Sequence, residues 1–324
     1  MLAVIGYGLA AFTKPAFPLA PSVSWLVGAR FLDRVGKGIR GAPRDALVAD
    51  IAPVNLRGAS FGLRQSLDTT GAFLGPLLAI GLMWSTVDNF KAVFWVAVIP
   101  AFLALALMMF AVSEPARPEG LRRVRNPISI SEIKRLGAPY WWVVGIAAVF
   151  TLARFSEAFL ILRAQNVGVP IMLVPAVFVV MNVVYAFAAY PAGVASDRMS
   201  RTTLLIIGLT LLIGADLALA LLPSIAGATL GVVLWGLHMG FTQGLLATLV
   251  ADTSPPELRG TAYGFFNLLG GFAMLAASVI AGSLWDAGGA KATFLAGAGF
   301  TLVALVGLLT MRGRINTEAA TAVY

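Results

Sequence analysis

The chain contains no cysteine and a single histidine, and only 12% of its 324 residues are charged. The first absence excludes disulfides, thiolate metal sites and cysteine nucleophiles. No His-Glu-x-x-His motif, P-loop or dinucleotide-binding glycine fingerprint occurs, so metal-assisted hydrolysis, ATP-driven work and nucleotide cofactors have no basis here. No metal or other cofactor is expected. The charge content is about half that of a soluble domain. With 59% hydrophobic residues and a mean hydropathy of +0.88, the surrounding solvent has to be lipid. The net charge of +8 does not form a solvated basic face, because many cations lie inside apolar runs, and nucleic acid is therefore excluded as a partner. No basic segment or cleavage site follows Met1, so no signal peptide is read. Gly58-Ala-Ser60-Phe-Gly62 has the spacing of a nucleophile elbow, but it opens a helix rather than following a strand. The chain is not expected to be an enzyme.

What is present is a series of long apolar runs. A span needs about 20 residues to cross a hydrocarbon core of roughly 30 Å. Ten are read, at about 1–20, 23–50, 54–84, 91–112, 139–165, 171–195, 202–222, 226–252, 256–284 and 291–312. A polar connection at 113–138, rich in Arg, Pro and Glu, separates a half of four helices (1–112) from a half of six (139–324). This is an all-α membrane protein with about ten transmembrane helices in two pseudo-symmetric halves. Twelve Lys and Arg fall in the connections on one side and four on the other, which places the linker and both termini in the cytoplasm of a cell whose inner membrane holds the chain. Trp25, Trp84, Trp95, Trp141, Trp142 and Trp285 fall near span ends, as interfacial indoles do.

One sequence signature occurs twice, 202 positions apart. Leu47-Val48-Ala49-Asp50-x-x-Pro53-x-x-Leu56-Arg57-Gly58-x-x-x-Gly62 returns as Leu249-Val250-Ala251-Asp252-x-x-Pro255-x-x-Leu258-Arg259-Gly260-x-x-x-Gly264. Internal repeats joined to apolar segments are how many transporters are built. At this offset the fifth and sixth spans have no counterpart in the first half, so two further helices are expected upstream of this chain. Each copy reads as a tight helix–helix turn, and Ser254-Pro255-Pro256-Glu257 has capping-box spacing. Asp50 and Asp252 end one helix, and Arg57 and Arg259 begin the next. Each has the wrong sign for its own helix dipole, so pairing with one another or with a neighbouring helix is expected.

Seven charges lie between positions 30 and 45 of the second span: Arg30, Asp33, Arg34, Lys37, Arg40, Arg44 and Asp45. On a helix Arg30, Arg34, Lys37, Gly41 and Arg44 fall within about 40° of one line. A charge at the bilayer centre costs at least about 2.5–3.5 kcal/mol, so this face has to meet water or paired protein. A purely structural network, with Asp33 and Asp45 neutralising arginines, is the competing reading. The third span carries Arg64 and Asp68 on one face, in line with Gly71-x-x-x-Gly75-Pro76, a pattern for close helix contact and a kink. Arg154 and Glu157 in the fifth span, Asn182 and Tyr185, His238 with Gln243, and Asn267 complete the polar residues at span depth, with Asp216 read as structural. His238 sits among Gly236, Gly240 and Gly244, where a buried hydrogen-bonding role competes with proton relay.

Three stretches resemble motifs of the major facilitator superfamily. Gly193-Val-Ala-Ser-Asp197-Arg198-Met-Ser-Arg201 is similar to its cytoplasmic loop motif, Arg30 with Gly36 and Gly38 to its fourth-helix motif, and Gly71-x-x-x-Gly75-Pro76 to its fifth-helix antiporter motif. The last lacks the usual later glycine pair, and the first copy of the loop motif is absent. The resemblance covers the chain as helices 3 to 12. It implies a monomeric secondary transporter, with two helical bundles that rock about a central cavity, moving a small solute in exchange for protons. On that resemblance Arg30, Arg34, Lys37, Arg44, Arg64, Arg154, Asn182, Tyr185, His238, Gln243 and Asn267 line the path. Asp33, Asp68 or Glu157 carries the proton, and Asp50, Arg57, Asp197, Arg198, Arg201, Asp252 and Arg259 close the cytoplasmic side. The excess of cations suggests an anionic or proton-exchanged substrate. The alternative is a non-transporting membrane protein, receptor-like or an assembly subunit, or an inactive truncated product.

Overall fold

The computed structural model describes residues 2–86, 89–112, 130–170 and 173–321, without the side chains of Ile130 and 311–321. Among these residues the secondary structure is helical throughout, with no strand. The order is α1 (Leu2–Thr13), α2 (Val23–Ile51), α3 (Arg57–Ser85), α4 (Phe90–Phe110), a short α5 (Ile130–Lys134), α6 (Gly137–Ala153), α7 (Ala158–Asn166), α8 (Val174–Arg198), α9 (Arg201–Leu221), α10 (Ile225–Thr253) and α11 (Arg259–Thr321). Seven helical segments are long and apolar enough to cross a membrane; α2 has the length but is too highly charged to count among them. Large side chains such as Trp84, Phe110 and Phe187 are exposed at 89%, 84% and 76%, which only a lipid environment makes favourable.

Three boundaries differ from the sequence reading. The first span ends as a helix at Thr13, because Pro15 and Pro18 deny the backbone its next donors and push the preceding residues out of helical geometry. The fifth span is two helices, α6 and α7, broken over Arg154–Glu157. Arg154 leaves the helical region at φ −97°, ψ 65°, and its N–H is shared between the carbonyls of Phe150 and Thr151. The ninth and tenth spans form one helical run interrupted only at Gly289, where φ is 65° and ψ is −161°. The chain folds back there, since the Thr293 hydroxyl donates to the Ala281 carbonyl at 3.3 Å.

Two compact units result, one of residues 1–51 with 74–122, the other of 52–73 with 123–324. In the first, α1 packs on α2 and α4. Gly6 and Gly36 permit the α1–α2 approach: a methyl group on Gly6 would stand 2.7 Å from the Arg40 backbone nitrogen. In the second, α10 packs on α8 and α9, and α11 on α6 and α9. The small-residue face of α10 is confirmed, since a methyl on Gly236 would lie 2.6 Å from the Met181 carbonyl and one on Gly240 2.5 Å from Ala188 Cβ. Gly71 and Gly75, by contrast, face open space, so the close contact read from their spacing is not made.

The backbone at Gly289 lies in a region that only glycine occupies freely. Gly289→Ala is expected to lower stability by about 1–3 kcal/mol. Thermal unfolding in detergent micelles checks this, and an unchanged midpoint would refute the hinge assignment.

Candidate functional site

At one end of the second unit the two signature turns and the loop after α8 come together. Asp197, near the end of α8, accepts the Gly58 N–H at its Oδ1 and the Ala59 N–H at its Oδ2, each at 2.8 Å. These are first-turn donors of α3 with no intrahelical acceptor, and the carboxylate also meets the positive end of the helix dipole. The approach depends on glycine: a methyl on Gly62 would fall 2.7 Å from the Ala189 carbonyl, and one on Gly58 would overlap the Ser196 hydroxyl. Arg57 of the first signature pairs with Asp252 of the second at 3.1 Å, and Arg201 engages the other oxygen of Asp252. Arg259 is buried, Arg198 exposed, and Asp50 lies exposed at the end of α2 in the other unit.

The capping box read at Ser254–Glu257 does not form. The Ser254 hydroxyl turns back to the Val250 carbonyl at 2.6 Å, and Glu257 is drawn instead to Arg135. Arg135 also bonds Glu132 at 2.5 Å. Hydrogen bonds to Glu132 first and Glu257 second hold its already high pKa further up. Ser60 donates to the Leu56 carbonyl inside a helix, so the nucleophile-elbow spacing is incidental.

Deeper in the same unit α3, α8, α10 and the α6–α7 break contribute a polar group. The buried Tyr185 hydroxyl sits in the fields of Arg154, Arg64 and Asp68. Ser66 ties α3 to α8 through the Ala186 carbonyl at 2.7 Å. The Arg154 guanidinium also reaches His238 electrostatically, and one of its buried terminal nitrogens has no hydrogen-bond partner among the described residues. Glu157 is half-buried on the far side of the break, and Asp68 is exposed. His238 is fully buried with Nδ1 3.1 Å from the Gly208 carbonyl, so here it joins α9 to α10 and lines no open space. Asn182 donates to the Phe178 carbonyl of its own helix, Gln243 is half-buried, and Asn267 is exposed on α11. Asp216 is wholly buried against Gly297, without a hydrogen-bond partner among the described residues.

In the first unit part of the α2 stripe borders a cavity of about 240 Å³ between α1, α2 and α4. Arg30, Asp33, Arg34, Lys37 and Arg40 form one wall. Tyr7, Lys14 and four alanines supply the rest, none of them among the candidate site residues of the sequence. Asp33 is held by Lys14 at 2.9 Å and Arg30 at 3.8 Å. Arg44 shares their line on the helical wheel but is not on this wall; it contacts Asp45 at 3.2 Å, a turn beyond.

The family model for the Major Facilitator Superfamily matches residues 1–278 and, again, 158–322. The chain belongs to that superfamily. It is therefore a multi-pass membrane protein of a secondary-transporter family and not an enzyme. It is 33% identical to an uncharacterized MFS-type transporter of Methanocaldococcus jannaschii, over 95% of this chain and 77% of that protein. An uncharacterized protein of Mycobacterium tuberculosis is 28% identical, over 87% and 70%. Among solved structures the Escherichia coli fucose:proton symporter superposes with a TM-score of 0.78 at 14% identity, covering 95% of this chain and 82% of that one. The human organic anion transporter MFSD10 gives 0.74 at 19%, covering 94% and 76%. At these identities the two structures share the fold.

Removing the Asp197 carboxylate strands two backbone donors of this transporter. Asp197→Ala is expected to lower stability by about 1.5–3 kcal/mol, with Asp197→Asn intermediate. Denaturant unfolding in micelles measures this; equal stability of all three proteins would show the contact to be idle.

Proposed function

We propose that the chain is a proton-coupled exporter or exchanger of a small solute, working by alternating access in the cell (inner) membrane with both termini cytoplasmic. The observation that carries this reading is the Arg64–Asp68–Tyr185–Arg154 group at span depth, where the helix after Arg154 is broken. Ionisable residues at that depth mark ion and substrate pathways, and a discontinuous helix frees backbone groups to serve a site. Asp68 is the group that exchanges the proton. Asp33, clamped by two cations, serves instead to hold α1 on α2. Glu157, beside the break, is the second proton candidate.

The Asp197–Gly58 contact and the Arg57–Asp252–Arg201 chain form the cytoplasmic latch. Its bonds are charge-assisted, so each is strong enough to bias a two-state equilibrium yet weak enough to break in each cycle. The fucose:proton symporter, which shares this fold, is coupled to the same ion; no feature of this chain calls for a sugar.

Two measurements follow. In proteoliposomes Asp68→Asn should abolish solute movement driven by an imposed pH gradient while leaving downhill exchange intact. Gradient-driven flux at the unsubstituted rate would remove Asp68 from the mechanism. Asp252→Asn should open the cytoplasmic side. Because the chain lacks cysteine, a single cysteine placed at Val194 should react with a membrane-impermeant maleimide about tenfold faster in that variant, the factor expected for loss of roughly 1.4 kcal/mol of latch energy. An unaltered rate would separate the ion pair from gating.

A further inference from the structure

We infer that the cavity of the first unit takes a small organic dianion, a dicarboxylate or a phosphomonoester, as the solute this protein moves; the inference rests on the transport reading above. Five cations line the cavity, Lys14, Arg30, Arg34, Lys37 and Arg40, against the single carboxylate of Asp33. That carboxylate is already engaged by Lys14 and Arg30. Arg40 lies over the Tyr7 ring at 4.4 Å. Arg34, exposed on the same wall, makes no hydrogen bond or ion pair among the described residues. A guanidinium fork in that position matches the paired oxygens of a carboxylate or phosphate.

The charge balance selects among solutes. One negative charge leaves the wall strongly cationic, and a neutral or cationic solute leaves the repulsion between its members unrelieved. Two negative charges relieve it, more so where protein narrows the field than in open water. Size selects again. At about 240 Å³ the cavity has room for a short-chain acid or a phosphorylated three- to six-carbon compound. Ala10, Ala11, Ala101 and Ala104 make the room, giving the non-ionic part of the solute a smooth floor beside the Tyr7 ring.

A phospholipid headgroup also offers phosphate oxygens, as a singly charged diester, so the test has to tell it from a free solute. The purified full chain in neutral detergent would be treated with phenylglyoxal, with Arg34 modification followed by peptide mass spectrometry. Sulfate and glycerol 3-phosphate should each protect Arg34, whereas glycerol, choline and sodium chloride at matched ionic strength should not. Glycerol 3-phosphate binding by calorimetry should weaken about tenfold in Arg34→Gln and less in Arg34→Lys. Equal protection by the neutral or cationic compounds, no protection by either dianion, or unchanged binding in Arg34→Gln would each overturn the inference. So would protection seen only in nanodiscs containing phosphatidylglycerol, which would assign the cavity to lipid. Should Arg34→Gln fail to fold, the labelling of the unsubstituted protein and the Arg34→Lys titration still decide. Gradient-driven flux of a neutral solute with no dianion protection would leave transport standing and sink this assignment, whereas protection without flux of any solute would leave a dianion-binding cavity and sink transport.

Discussion

Charge inside an apolar layer is tolerable only where water, an opposite charge or an oriented backbone group meets it. That constraint organises this molecule. At three places among the described residues the chain supplies one of the three. The α2 cations meet a cavity, the Asp197 carboxylate meets two backbone N–H groups, and Asp252 meets two arginines. The glycines at 58, 62 and 193 belong to the same solution, because a carboxylate caps a neighbouring helix only when the two backbones nearly touch.

Much of this was legible in the sequence, for a physical reason. A long apolar run in lipid can only be a helix. The helical, membrane-spanning character of the apolar runs therefore followed from hydropathy, and the duplicated signature, with its charges opposed to their own dipoles, pointed to partners elsewhere. The stripe on α2 was visible because helical periodicity is rigid over the roughly four turns from Arg30 to Arg44. The small-residue face of α10 followed from glycine spacing alone.

The rest depended on geometry that no local pattern records. The break at Arg154–Glu157 contains neither proline nor glycine, and nothing in the periodicity marks it. The capping-box spacing at Ser254 was overridden by competition: a nearer carbonyl took the hydroxyl, and Arg135, more than a hundred residues away in sequence, took Glu257. Gly71 and Gly75 carry the right spacing yet meet nothing, because spacing permits a contact without providing a partner. Lys14 and Tyr7 belong to the cavity only because α1 folds onto α2 at that register.

The pairing of Arg57 with Asp252 has an evolutionary corollary. Each copy of the duplicated turn finds a partner in the other copy, so the two have ceased to be interchangeable modules. A gene assembled from the front of one family member and the back of a distant cousin would join residues that never diverged in step. Compensating change across the duplication, rather than retention of each copy on its own, is what natural variation in this family should record.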